Sequence, residues 1–237
     1  MIRSARIFLT GLKTGWLREP LIPVLVIVVL AGIWGFLELA SEVMEKETRQ
    51  FDEAVLLAMR EPGNPSDPVG SKQVEEMARD LTALGGVTLL TGVTLVSFGI
   101  ALFAGRVRLA VAGVVSVLSG SIILSLLKHG YDRPRPELVG HGTFVYNASF
   151  PSGHSMMSAM VWLTLGILLA RTQTKKRVRV FIVAISVLIT LLVGVSRVYL
   201  GVHWPTDVLA GWTLGGAWAV MFWLIAMKVD PQLPPVS

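Results

Sequence analysis

Six apolar runs, each about as long as a lipid bilayer is thick, constrain the fold of this chain. They cover residues 21–39, 81–104, 109–127, 155–170, 178–195 and 208–227. A helix needs about 20 apolar residues to cross the hydrocarbon core, and none of these runs alternates with the period of a strand. Helices also satisfy their own backbone hydrogen bonds in lipid. The sequence therefore predicts an all-α bundle of six transmembrane helices, with residues 1–237 forming one membrane domain.

Composition argues against both a soluble domain and a disordered chain. Hydrophobic residues make up 53% of the chain and charged residues only 16%, whereas a soluble domain carries about 25% charged residues. The net charge of +5 is distributed among loops instead of forming one basic face, so no nucleic-acid partner is expected. The sequence contains no cysteine, which excludes disulfides and thiolate metal ligands.

The distribution of basic residues predicts how the chain is oriented. Segment 1–20 mixes basic and apolar residues, a pattern typical of a helix that lies on the membrane surface, and we interpret it as retained, not cleaved. The short loops at 105–108 and 171–179 are basic too. The positive-inside rule places these segments on one side. We therefore expect a multi-pass protein of the inner (cytoplasmic) membrane, with both termini in the cytoplasm and loops 128–154 and 196–207 outside.

The longest polar stretch, 41–80, is predicted to be an extracytoplasmic helical connector. Its apolar residues Met44, Phe51, Val55 and Met59 recur at helical spacing, and a proline-rich stretch at 61–68 interrupts the pattern. We expect a helix, a proline-rich loop and a short helix that lie against the outer leaflet. The connector is either a cap on the bundle or a lid over a site.

Two outer loops carry residue types suited to binding phosphate. Lys128, Arg135 and Arg197 supply three positive charges, and the two guanidinium groups match the geometry of phosphate oxygens. Ser152 and Gly153 lie where the fourth span begins, so that their backbone N–H groups and the helix dipole favour an anion. Charged side chains at the ends of membrane spans are costly, so a cluster of them indicates a functional site.

The same loops contain two histidines and a carboxylate. Pro205 suits the first turn of the last helix, which places His203 just before the helix and Asp207 in its first turn. A carboxylate at this spacing can accept from one imidazole nitrogen and leave the other available as a nucleophile. His154 is a second imidazole that can protonate a leaving oxygen. Residue chemistry alone leaves open which imidazole attacks.

Taken together, these residues form a three-part pattern over 128–207. Six residues separate Lys128 from Arg135-Pro136, five separate Arg197 from His203, and three more separate His203 from Asp207. Between the first and third parts stands Pro151-Ser152-Gly153-His154. The pattern resembles the signature of the type 2 phosphatidic acid phosphatase (PAP2) superfamily, in its bacterial integral-membrane lipid phosphatase branch.

The resemblance implies a metal-independent lipid phosphatase without a cofactor. In that family the residue matching His203 attacks phosphorus to form a phosphohistidine, and the residue matching Asp207 orients it. The residue matching His154 protonates the leaving alcohol and later activates water. Five matching residues would bind the phosphoryl oxygens, namely Lys128, Arg135, Ser152, Gly153 and Arg197. A metal site is not expected, because the outer loops near these motifs hold few carboxylates.

The motifs contact phosphate and leave the lipid tail undefined. The expected partners are the bilayer and a membrane lipid phosphate: phosphatidic acid, phosphatidylglycerol phosphate or undecaprenyl diphosphate. The alternatives are a lipid A phosphatase and a non-catalytic protein that binds or transports a lipid phosphate. The sequence does not indicate an oligomeric state.

Five other positions have open interpretations. Arg133 could contact a phosphate or pair with Asp132. His129 and His141 match no position of the signature and are predicted to be structural or substrate-lining. The small residues Gly211 and Gly215 favour close helix packing inside the bundle over a dimer contact.

Overall fold

The computed structural model describes residues 21–143 and 148–230. Within these ranges the chain forms eight helices and one short β-hairpin. The helices are α1 (Leu21–Met44), α2 (Arg49–Leu57), α3 (Lys72–Ala83), α4 (Val87–Phe103), α5 (Val107–Tyr131), α6 (Gly153–Arg171), α7 (Lys176–Tyr199) and α8 (Pro205–Val229). The antiparallel hairpin pairs β1 (Arg60–Glu61) with β2 (Asn64–Pro68). The surface helix predicted for 1–20 lies outside the described residues.

Five of these helices, α1, α5, α6, α7 and α8, are long and apolar enough to cross a membrane. Helices α3 and α4 meet at a bend of 43° and make a sixth candidate if they count as one broken span. The apolar run predicted as one span over 81–104 is thus divided between two helices. Gly85 lies at the break, where a Cβ would be 2.4 Å from Val193 Cγ1 and 3.2 Å from the His154 carbonyl oxygen. The close approach of α6 and α7 therefore requires glycine here.

Helix α8 lies at the centre of the bundle and contacts helices on several sides. Its small residues allow close packing: a Cβ at Gly215 would lie 2.4 Å from the Met156 carbonyl oxygen, and one at Gly211 would lie 2.8 Å from that of Ser152. Both glycines therefore pack against α6 within the bundle, as predicted.

Several helices extend beyond the predicted apolar runs. As a result Lys128 and Arg197 lie in the last turns of α5 and α7 instead of in loops, whereas Asp207 lies in the first turn of α8, as expected. Burial of polar helix ends inside the bundle explains the difference, because apolar runs stop where charge begins. Helix α6 also contains a π-helical stretch, Ala159–Leu163.

The connector packs on the protein, and its predicted position against the outer leaflet stays a prediction. The expected helix, proline-rich break and second helix are present as α2, the hairpin and α3. Leu56 of α2 is fully buried in a cluster with Val139, Val198 and Val208. The buried Arg60 donates from Nη1 to the carbonyl oxygen of Tyr199 over 2.9 Å, which holds the hairpin on the end of α7.

Candidate active site

A cavity of about 560 Å³ lies between α4, α5 and α6. One end is polar, and the rest is lined mainly by apolar side chains of α4 and α5, such as Leu90, Leu95, Val117 and Leu118. Six of the eight residues predicted for the site line the polar end: Lys128, Arg135, Gly153, His154, Arg197 and His203. The structure thus brings together residues that are up to 75 positions apart in the sequence.

Two left-handed backbone positions turn the chain towards the cavity. Asp132 follows α5 with a φ of 40°, and its N–H donates to the Lys128 carbonyl oxygen. Short polar residues such as aspartate tolerate this conformation better than most. Gly201 follows α7 with a φ of 72°, and a Cβ there would lie 2.6 Å from the Gly140 carbonyl oxygen. The first turn leads into the segment that carries Arg135, and the second leads into the segment that carries His203, two residues before α8.

The start of α8 holds His203 and Asp207 together. Pro205 occupies the first helical position, which suits its fixed φ. The Trp204 N–H donates to Asp207 Oδ2 over 2.9 Å, so the carboxylate caps its own helix. The same oxygen lies 3.3 Å from His203 Nδ1. Both side chains are buried, and the other imidazole nitrogen, Nε2, faces Arg135 at 3.2 Å.

Ser149 is a member of this network that the sequence did not reveal. Its hydroxyl donates to Asp207 Oδ2 in a short hydrogen bond and lies 3.3 Å from His203 Nδ1. Ser149 is fully buried. A serine two residues before the Pro-Ser-Gly-His motif carries no signal of its own, so only the fold could identify it.

Backbone and hydroxyl oxygens hold the three cations of the predicted site. Lys128 Nζ donates to the Ala148 carbonyl oxygen over 2.5 Å, and Arg135 Nη1 donates to that of Val202 over 2.5 Å. Arg197 Nη1 donates to Thr82 Oγ1 over 3.0 Å. The oxygens that accept from Lys128 and Arg197 are neutral, so these contacts orient each cation without cancelling its charge. The polar end of the cavity is therefore suited to an anion.

Burial lowers the pKa values of His203 and Arg135, the two residues of the site that lie in loops. It lowers the pKa of His203 from 6.5 to about 3, against the opposing effect of the hydrogen bond to Asp207. Burial also lowers the pKa of Arg135. At neutral pH the His203 imidazole is accordingly uncharged and keeps a lone pair on one ring nitrogen.

The two residues at the start of α6 differ from each other in their placement. Gly153 lines the cavity, and a Cβ there would lie 3.2 Å from Leu124 Cδ2. Ser152 is fully buried and caps α6, because its Oγ accepts from the Ser155 N–H over 3.4 Å. The Ser152 N–H donates to the Asp207 carbonyl oxygen over 3.0 Å. The prediction that the Ser152 N–H is available to an anion is therefore wrong, because α8 occupies it.

Arg133 follows neither of its predicted interpretations. Its Nη1 donates to Asp207 Oδ1 over 2.6 Å, and its Nη2 donates to Asp52 Oδ2 over 2.7 Å. Sequence reasoning considered the neighbouring Asp132 and missed Asp52, which comes from the connector helix α2. A contact across 81 positions leaves no local sequence pattern.

The remaining histidines have local partners. His129 Nδ1 lies 2.7 Å from the Ser125 carbonyl oxygen, and the residue lines the cavity. His141 Nε2 lies 2.7 Å from the Pro136 carbonyl oxygen and is not part of the cavity lining. Over the described ranges, no group of three or more His, Asp or Glu side chains is arranged to hold a metal ion.

Known proteins share both this fold and this sequence pattern. Residues 109–230 match the family described as the PAP2 superfamily. Phosphatidylglycerophosphatase B of Bacillus subtilis (strain 168) is 32% identical over 204 residues, which cover 80% of this chain and 89% of the relative. An undecaprenyl-diphosphatase of Sulfolobus acidocaldarius is 42% identical over 67 residues, which cover 28% of each chain.

A solved structure extends the likeness to most of the fold. The crystal structure of the first transmembrane PAP2 type phosphatidylglycerolphosphate phosphatase from Bacillus subtilis superposes with a TM-score of 0.75. It shares 25% sequence identity, and the match covers 86% of this chain and 98% of that one.

The fold and the site together define a multi-pass membrane hydrolase that acts on phosphate esters. The chain belongs to the PAP2 superfamily.

Proposed function

We propose that the protein removes phosphate from a membrane lipid headgroup, as a phosphomonoester or diphosphate, through a phosphohistidine formed on His203. The shape of the cavity carries the proposal. Its polar end holds Lys128, Arg135 and Arg197, and its apolar length runs between α4 and α5. A headgroup phosphate fits the first part and an acyl or prenyl chain fits the second.

The contacts around His203 favour it as the nucleophile. Asp207 and Ser149 lie at Nδ1, which leaves Nε2 directed at the cavity. A pKa near 3 keeps the imidazole neutral, so its lone pair is available at pH 7. Arg135 Nη1 lies 3.2 Å from Nε2, and a phosphoryl oxygen is a stronger acceptor for this guanidinium. Substrate binding would thus draw Arg135 away from Nε2 and expose it.

The proposed reaction has two steps. In the first, His203 Nε2 bonds to phosphorus as the bond to the lipid oxygen breaks, and His154 gives its proton to that oxygen. In the second, His154 takes a proton from water, and the resulting oxygen attacks phosphorus and releases His203. Lys128, Arg135 and Arg197 would stabilise the negative charge on the phosphoryl oxygens in both steps. Gly153, which lines the cavity, completes the proposed phosphate site.

The proposed topology follows from charge. If α3 and α4 form one broken span, the chain has six spans and both termini are on the same side of the membrane. The basic loops favour the cytoplasm for that side, which would put the site on the extracytoplasmic face of the inner membrane. Because the chain has no cysteine, single cysteines can report accessibility. Asn64→Cys on the hairpin should react with an impermeant maleimide in intact cells, and Thr174→Cys in the basic loop should not. The opposite pattern would overturn the orientation.

Phosphate release by the detergent-purified protein tests the proposed activity. The substrates would be phosphatidic acid, phosphatidylglycerol phosphate, undecaprenyl diphosphate and a lipid A phosphate, each assayed with EDTA present. The names of the relatives make phosphatidylglycerol phosphate the first lipid to test. We expect release by the wild type and none by His203→Ala, which should remain folded. Binding without release would favour a lipid-phosphate carrier, and equal release by His203→Ala would refute the mechanism.

A further inference from the structure

The connector helix α2 contributes a buried carboxylate to the region behind the site. Asp52 is fully buried. Its Oδ1 accepts from the Thr206 N–H over 2.9 Å, and its Oδ2 accepts from Thr206 Oγ1 over 2.7 Å and from Arg133 Nη2 over 2.7 Å. Thr48 Oγ1 adds a fourth hydrogen bond over 3.2 Å. A buried carboxylate with this many donors is held in one orientation.

Arg133 connects this carboxylate to the one behind the nucleophile. One guanidinium nitrogen, Nη2, donates to Asp52, while the other, Nη1, donates to Asp207 Oδ1 over 2.6 Å and to Thr206 Oγ1 over 2.9 Å. The guanidinium carbon also lies 5.5 Å from the centre of the Trp204 ring. The side chain is only 13% exposed. A planar guanidinium group whose two terminal nitrogens both donate hydrogen bonds has little freedom to rotate.

Each oxygen of Asp207 therefore has its own set of partners. Oδ2 contacts His203 Nδ1 and accepts hydrogen bonds from the Ser149 hydroxyl and the Trp204 N–H. Oδ1 accepts from Arg133. Without Arg133, Oδ1 would lose a charged donor in a buried place, and the carboxylate could rotate to recover one. Because Oδ2 contacts Nδ1, such a rotation would turn the imidazole as well.

We infer that Asp52 and Arg133 are positioning residues for His203, and that the connector is a structural part of the active site. Asp52 fixes Arg133, Arg133 fixes Asp207, and Asp207 fixes the imidazole. Neither Asp52 nor Arg133 lines the cavity, so the effect reaches the substrate only through His203. This assignment rests on the proposed role of His203 as the nucleophile.

A purely architectural role is the competing explanation. Asp52 also bonds the Thr206 N–H at the start of α8, so its loss could simply loosen the connector. An architectural role would lower the amount of folded enzyme, whereas a positioning role would lower the rate of each intact site. The two explanations therefore differ in the turnover per folded molecule.

The test compares Asp52→Asn with Glu53→Gln, the same chemical change at the next residue. Glu53 pairs with Arg49 on the outer side of α2 and lies away from the site. Intact sites would be counted by calorimetric binding of inorganic vanadate, which binds where phosphate does. We expect Asp52→Asn to lower kcat per vanadate-binding site on the order of 10- to 100-fold, since small misplacements of reacting groups have effects of this size. The KM should stay within about 3-fold, because the cavity lining is unchanged.

Two further variants keep the test decisive if Asp52→Asn folds poorly. Thr206→Val preserves shape and removes the hydroxyl bonds to Asp52 and from Arg133, but it keeps the ion pair between these two residues, so a smaller fall in kcat per site is expected. The double variant Asp52→Asn/Arg133→Gln should be no slower than Arg133→Gln alone, because the two residues act in series. Losses that multiply would overturn the inference, and so would wild-type kcat per site in both Asp52→Asn and Thr206→Val. A wild type that releases no phosphate would instead refute the proposed function.

Discussion

Gly215 offers a direct test of how closely α6 and α8 must pack. Alanine at this position would place a Cβ 2.4 Å from the Met156 carbonyl oxygen and 2.8 Å from Ala159 Cβ. Ordinary van der Waals contact begins at 3.4 Å. A backbone oxygen cannot rotate out of the way, so the two helices must separate locally by about 1 Å.

The energetic effect has two opposing parts. Overpacking a well-filled interface destabilises by about 1–3 kcal/mol, and the higher helix propensity of alanine returns about 1 kcal/mol. The net change is a loss of up to about 2 kcal/mol. The effect on catalysis should be larger, because α6 carries His154 and α8 begins two residues after His203. A 1 Å displacement of reacting groups can lower the rate about 100-fold.

Gly216 provides the matched control for Gly215→Ala. A Cβ at Gly216 meets no atom within 4 Å, so Gly216→Ala gains propensity without a clash. Phosphate release from phosphatidylglycerol phosphate and the Tm of the purified protein would be measured for both variants. We expect Gly216→Ala to match the wild type, and Gly215→Ala to lose most of its kcat and some of its Tm. Wild-type values for Gly215→Ala would show that the interface is loose and refute the reasoning.

Three further predictions concern the imidazoles and their carboxylate. Asp207→Asn should lower kcat by about 10³- to 10⁴-fold through loss of imidazole orientation, measured as phosphate release per vanadate-binding site, and should also lower the Tm because Arg133 loses a buried ion-pair partner. His154→Ala should accumulate phosphohistidine with para-nitrophenyl phosphate, because the leaving group of this substrate needs no acid. ³²P labelling or mass spectrometry would detect the phosphohistidine. Its absence would indicate that another residue is the acid. Because the pKa of His203 is about 3 in the fold and 6.5 when unperturbed, the unfolded chain binds the extra proton between these values. Stability should therefore fall on acidification from pH 6.5 towards 3, by up to about 1.4 kcal/mol per pH unit, and the fall in Tm should be smaller in His203→Gln.

The sequence was sufficient to predict the cavity end of the site. Lys128, Arg135, His154, Arg197 and His203 all line one cavity, and the motif spacing predicted that they would meet. Their convergence was predictable because each residue lies at or near the end of an apolar run, and the ends of spans on one membrane face are neighbours in space; their role in catalysis stays a prediction.

The supporting network could not be predicted in the same way. Asp52, Ser149 and Arg133 reach Asp207 and its neighbours through contacts between segments that share no pattern of spacing. From the sequence alone, a polar side chain in a connector is expected to be exposed to solvent. Only the tertiary packing shows that it is buried. A fold with several buried charges therefore hides part of its site from sequence analysis.

The boundaries of the spans were predicted less well than their existence. A hydropathy pattern predicts that a span ends at the first charged residue. Lys128 and Arg197 are nevertheless part of their helices, and both line the cavity. The break before α4 had a visible signal, the adjacent pair Gly85-Gly86. Its meaning depended on the approach of Val193, which only the structure provides.

At the π-helical stretch Ala159–Leu163, the number of residues in α6 can change without changing the direction in which its two halves point their side chains. A π turn accommodates one extra residue within an otherwise α-helical run. Removing one residue there would restore a regular helix, and the face bearing His154 would keep its direction relative to the lower half of α6. Removing one residue elsewhere in α6 would rotate one half against the other by about 100°. This turn is therefore the point in α6 where the chain can change length by one residue while His154 still faces the cavity.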